Sequence, residues 1–150
     1  MKRLLIAVLV TTTVLTAPTI AYATADLGAA RDSETRAALP RFKAMQYMET
    51  TGVEWEGSYR FLPPGKSTRG AFNFKGKLRS FDKNNGAKLE VRVEGYGKRT
   101  YRAARGKAKT YNELVYDGAA QRTKDAWVKL CRDRGTLVPD NCTGEEYYGR

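Results

Sequence analysis

Apolar residues come first as a block and later as every second residue. The block opens at Leu4, just after the positive pair Lys2-Arg3. It is unbroken to Val10 and continues through Thr and further apolar residues to Tyr22. Small residues follow at the spacing a signal peptidase reads, Ala21-Tyr22-Ala23 and Ala23-Thr24-Ala25. A positive start, an apolar middle and a small-residue end make residues 1–25 a secretory signal peptide, removed from the mature chain and no part of its fold. Residues 26–50 show neither period. Ala29-Ala30, Ala37-Ala38 and Asp32-Ser33-Glu34 favour helix or disorder, and Pro40 breaks the pattern. The expectation here is a flexible N-terminal arm with at most a short helix.

Period two begins at Val53. Val53, Trp55, Gly57, Tyr59 and Phe61 alternate with Glu54, Glu56, Ser58 and Arg60, the mark of a half-buried strand that Pro63-Pro64-Gly65 ends. Phe72, Phe74 and Leu78 predict a second strand, bulged at Gly76. Asn84-Asn85-Gly86 supplies a turn, because Asn and Gly tolerate positive φ. Leu89, Val91 and Val93 alternate with Lys88, Glu90, Arg92 and Glu94 in the clearest strand of the chain. Further strands are predicted at Arg99–Ala103 after Gly95-Tyr96-Gly97, at Tyr111–Tyr116, around Ala126, Val128 and Leu130, and through Glu145–Tyr148. No strong helical segment separates these six or seven strands, so the pattern argues against βαβ topology. The pattern predicts one all-β domain over 51–150, a small antiparallel β-sandwich, with a small β-barrel as the alternative.

Cleavage after Ala25 leaves 125 of the 150 residues, enough for one domain with a real core. Nothing after the signal is long and apolar enough to span a membrane, so no stable membrane insertion is expected. The signal holds no Cys for a lipid anchor, and no sortase motif precedes an apolar tail. The expected product is a freely released, extracellular monomer. Its two cysteines, Cys131 and Cys142, are expected to pair in that oxidising compartment. Closing so short a loop stabilises by roughly 2–3 kcal/mol in the chain-entropy model. Histidine is absent altogether. That removes Ser-His-Asp and Cys-His nucleophilic schemes and the usual zinc ligand sets.

A family likeness sits on the central and C-terminal strands. Lys77-Leu78-Arg79-Ser80-Phe81-Asp82 leads into Lys88-Leu89-Glu90-Val91-Arg92-Val93-Glu94-Gly95-Tyr96. The chain later carries Val128-Lys129-Leu130-Cys131-Arg132-Asp133 and Pro139-Asp140-Asn141-Cys142. Strand, polar turn, strand, then a strand ending in Cys-x-Asp with a second Cys soon after resembles the small secreted single-disulfide β-sandwich proteins of actinobacteria, most of them uncharacterised. The likeness covers residues 70–142. It implies a fold and carries over no functional residues.

Charge is unevenly placed. Residues 66–109 hold 14 basic and three acidic residues, a net of +11, while the rest of the mature chain is −2. Lys75, Lys77 and Arg79 share one face of their strand, and Lys88 and Arg92 share the polar face of the next. If those strands are neighbours, the charges converge with Arg99 and Arg102 into one outward patch. Tyr96 and Tyr101 lie among these cations and offer stacking for bases or sugar rings. Such a patch attracts polyanions. Outside a cell these are teichoic acid and other cell-wall polymer, anionic lipid surface, acidic polysaccharide or extracellular nucleic acid. The plainer reading is a solubilising surface, with edge lysines resisting aggregation.

Other chemistry is weaker. Lys98-Arg99 and Arg102–Lys109 suit the exposed basic loop of a secreted protease inhibitor. A histidine-independent nuclease or toxin, with Arg and Lys on the phosphate and a carboxylate base, is the enzymatic alternative. Glu54 and Glu56 share a strand face, as paired glycosidase carboxylates do, but alternating Glu on a solvated strand is far commoner. No catalytic residue stands out. Gly65-Lys66-Ser67 imitates a P-loop end, but its upstream glycine falls at Arg60. Asn141-Cys142-Thr143 matches a glycosylation sequon formally. Asp and Glu lack the spacing of a calcium loop, so no metal and no cofactor are expected. Trp55 belongs to the core. Trp127 either covers the disulfide or stacks on a sugar.

Overall fold

The structure, a computed structural model, describes residues 38–95, 97–118 and 122–150. The expected signal peptide at 1–25, the arm as far as residue 37, and Tyr96 lie outside the described residues. Ten strands follow in order: β1 Lys43–Ala44, β2 Met48–Thr50, β3 Val53–Phe61, β4 Phe72–Ser80, β5 Gly86–Val93, β6 Arg99–Ala103, β7 Ala108–Val115, β8 Asp125–Asp133, β9 Asn141–Cys142 and β10 Glu146–Gly149. They form two antiparallel sheets packed as a sandwich, not closed into a barrel. The first runs β1-β3-β4-β7, with β2 also on β3; the second runs β10-β8-β5-β6, with β9 also on β8.

The alternation read from the sequence is the alternation of burial. Val53, Trp55 and Phe61 of β3 face inward with Phe72, Phe74 and Leu78 of β4. Across the sandwich they meet Leu89, Val91 and Val93 of β5 and Ala126, Val128 and Leu130 of β8, all buried. Each large side chain taken fully out of water contributes roughly 1.5–3 kcal/mol. Gly76 is not a bulge. It lies directly opposite Gly57 in an unbroken β3–β4 register. Both glycines face the core, where a Cβ on either would fall 2.6–2.7 Å from Cζ2 of Trp55. The indole occupies the space of two missing side chains, which is why the strand needs glycine there.

Residues 43–50 do not continue an arm. β1 and β2 pair with β3, and Met45 and Met48 are buried in the core cluster. The sheet therefore begins at Lys43 rather than at residue 51. In the second sheet β9 and β10 share one edge of β8. The Cys131–Cys142 disulfide joins directly opposed residues of β8 and β9, with Cα atoms 4.0 Å apart. What holds of the family likeness is coarse: a small all-β, two-sheet protein with one disulfide.

One end of the sandwich is made by four connections. The β2–β3 turn, the β4–β5 loop and the β6–β7 turn meet there through their backbones, and side chains of β8 and β9 tie the β8–β9 connection to them. Phe81 N–H donates to Gly52 O (2.8 Å), Gly106 N–H to Asp82 O (2.9 Å) and Ser80 N–H to Lys107 O (2.9 Å). Asn141 reaches from the start of β9 to the Thr51 hydroxyl (3.4 Å).

Candidate functional site

The basic residues singled out from the sequence fall on two opposite surfaces. β4 belongs to one sheet and β5 to the other, so their outward side chains point away from each other. The expected single patch does not form. Lys75, Lys77 and Arg79 lie on the outer face of the first sheet. Glu54 pairs with Arg79 at 2.5 Å, and Glu56 stands opposite Lys77 in the β3–β4 register. Only Glu54 of the two carboxylates forms an ion pair on this cation-lined face, and among the described residues Lys75 and Lys77, both exposed, form none. Lys75 sits 4.2 Å above the ring of Phe42. Between β3, β4 and β7 this face holds a shallow groove of about 430 Å³, lined by Lys75, Lys77, Ser58, Thr110 and Asn112 among others.

On the second sheet the cations are neutralised. Glu90, with a side chain only 8% exposed, receives Lys98 at 2.9 Å, Lys88 at 3.3 Å and Lys129 at 3.6 Å. Burial alone would push its carboxyl up, but the hydrogen bonds and charges of Lys98 and Lys88 outweigh that and hold it below the usual value. Lys88 also pairs with Asp140. Burial pushes the Lys88 ammonium down, and its two carboxylates reverse the sign and raise it. Arg102 pairs with Asp133 at 3.1 Å, and Arg92 with Glu145 at 3.3 Å. Arg92 also lies 4.0 Å above Trp127, whose ring centroid is 5.7 Å from that of Tyr147. Trp127 therefore belongs to an aromatic and cationic stack rather than lying over the disulfide.

Two further expectations change. Tyr101 is no surface platform. It turns inward, 5.1 Å from Phe74 and 5.2 Å from Tyr111, and is half-buried against the core. Arg99 stands opposite Val91, on the inward side of β6, with its guanidinium 5.8 Å from the ring of Tyr116.

The four-loop end is different. Its acids are turned to internal use. Asp82 accepts from the backbone N–H of Asn84 (2.8 Å) and from the side chain of Asn85 (2.8 Å), and it pairs with Arg132. Those bonds hold its carboxyl down to about 2. Asp133 takes Arg102 and the Gly135 N–H, and Asp140 takes Lys88 and the Arg134 N–H. The loop cations have no such partners. Lys83, Arg105, Lys107 and Arg134 are all exposed, and among the described residues none of the four forms an ion pair. Phe81 is 63% exposed beside Lys83, and Leu137 is 95% exposed in the β8–β9 loop.

None of these loop residues stood out individually in the sequence. Arg105 and Lys107 lay within a segment read as an inhibitor loop. The structure closes that segment into a tight turn, with Lys107 N–H donating to Ala104 O (3.0 Å). The available signal was position: each loop cation lies beside a turn residue, Asn84, Gly106 or Gly135. Among the described residues no three acidic, Cys or His side chains gather as a metal site. No helix among them is long and apolar enough to cross a membrane. Comparison with protein-family models, with curated proteins and with solved structures finds no match for this chain.

Proposed function

We propose that this chain is a secreted, non-catalytic binding protein for an anionic polymer or surface outside the cell, and that the four-loop end makes the contact. One observation carries the reading: Lys83, Arg105, Lys107 and Arg134 are exposed and form no ion pair among the described residues, while the acids beside them are consumed in holding the loops. The cations of the second sheet spend their charge on Glu90, Asp140, Asp133 and Glu145. The loop cations project theirs into solvent, where it raises the encounter rate with a polyanion. The likeness to small secreted single-disulfide sandwich proteins of actinobacteria, and the signal-like start of the chain, fit an extracellular partner.

The test is elution of the exported, oxidised protein from heparin and from purified cell wall along a salt gradient. Lys83→Glu, Arg105→Glu and Lys107→Glu together should elute far earlier. The slope of log affinity against log salt should become shallower by about two to three, because fewer counterions are released. Elution of parent and triple variant at the same salt refutes the assignment of the loop end.

A further inference from the structure

We propose that the anionic surface met by the loop end is a lipid bilayer, into whose interface Phe81 and Leu137 insert while Lys83, Arg105, Lys107 and Arg134 engage the phosphate headgroups. The inference rests on reading the loop end as an anion-contact surface, and it names the partner.

Phe81 and Leu137 come from different loops, yet both present apolar side chains to solvent at the same end of the sandwich, 63% and 95% exposed. Val138, next to Leu137, adds a third at 40%. A nucleic acid or an acidic polysaccharide supplies charge, but its contact surface is hydrated, and the aliphatic Leu137 and Val138 would gain nothing from it. An anionic bilayer supplies a charged layer with an apolar layer directly beneath. Exposed apolar residues and exposed cations carried by the loops of one end match that order, and the combination is what holds reversible interfacial binders at a membrane.

Hydrogen bonds brace the loops from within. Phe81 N–H is tied to Gly52 O, and Asp82 O receives Gly106 N–H. The Asp82 carboxylate is clamped by Asn84, Asn85 and Arg132. On the other loop, Asp140 links the Arg134 N–H to Lys88. The three acids of this end are thus drawn toward the protein, where they brace the loops, and the outward surface keeps its positive sign. Contact would be peripheral, since no spanning element is involved.

The experiment is co-sedimentation of the exported, oxidised protein with phosphatidylcholine vesicles, with or without phosphatidylglycerol, run beside heparin elution. The parent should bind phosphatidylglycerol vesicles at least tenfold more tightly than neutral ones. Phe81→Ser with Leu137→Ser should weaken that binding on the order of a hundredfold, about tenfold per lost apolar contact, and leave heparin elution unchanged. Both side chains are exposed, so the double variant should melt with the parent. In Phe81→Trp, added brominated phosphatidylglycerol should quench the new indole. Vesicle binding equal to the parent in the double variant, or no quenching of Trp at 81, overturns the lipid assignment. If heparin elution still depends on Lys83, Arg105 and Lys107, the polymer reading then survives alone. If the charge variant leaves both vesicle and heparin binding intact, the loop-end reading itself fails.

Discussion

Replacing Glu90 by Gln removes one negative charge from beneath three ammonium groups while nearly preserving its volume. The expected cost follows from the exposure of each partner. Lys98 is 52% exposed and Lys129 30% exposed, so water screens both contacts and each is worth only about 0.3–0.5 kcal/mol. Lys88 is 14% exposed and loses one of its two carboxylates. A charge-assisted bond in that setting contributes about 1–1.5 kcal/mol, less than for a fully orphaned buried charge because Asp140 remains. Together the loss is about 2 kcal/mol, which lowers the melting temperature of a domain of this size by about 8 °C. Urea unfolding of parent and variant across pH separates charge from shape. The folded Glu90 carboxyl is held below its usual value. Its contribution is therefore complete above the unfolded pKa of about 4.3 and disappears as pH falls through the folded one. The two proteins should differ at pH 7 and converge in strong acid. A difference that persists undiminished at low pH would mean that Gln disturbs packing; no difference at neutral pH would mean that the three lysines do not depend on Glu90. Either result refutes the reasoning.

Three further outcomes are expected. Gly76→Ala places a Cβ against the Glu56 carbonyl oxygen, 2.6 Å from Gly57 Cα and 2.7 Å from Trp55 Cζ2; urea unfolding should show a loss of about 2–4 kcal/mol. Cys131→Ser with Cys142→Ser should lower stability by about 3 kcal/mol, and a reducing agent should bring the parent to the same unfolding midpoint. Lys75→Glu with Lys77→Glu, on the first sheet's outer face, should shift heparin elution only slightly, through net charge. A shift as large as that of the loop-end variant would relocate the contact to that face.

Strand content and strand faces were legible from alternation alone. Val53–Phe61, Leu89–Val93 and Ala126–Leu130 each placed inward the residues that are buried, because the pleat of a strand sends successive side chains to opposite sides whatever lies around it. The disulfide was legible from cysteine count and expected compartment. β1 and β2 were not: two and three residues are too few to show a period. They are strands because β3 offers an edge and the core has room for Met45 and Met48.

Which layer each strand joins was equally invisible. Asn84-Asn85-Gly86 reads as a turn, but the chain only bends at Lys83-Asn84, none of the three has positive φ and Gly86 already opens β5; this short connection carries the chain across from one sheet to the other instead of returning it to its neighbour. That single choice separates Lys75, Lys77 and Arg79 from Lys88 and Arg92. Several salt partners of the second sheet also come from afar, Asp140 lying 52 residues beyond Lys88. Side-chain alternation is a local property of the backbone and is written in the order of residues. Layer assignment, ion pairing and the exposure of Phe81 and Leu137 depend on hydrogen bonds between loops far apart in the chain, such as Phe81 to Gly52 and Gly106 to Asp82, and these exist only once the sandwich has closed.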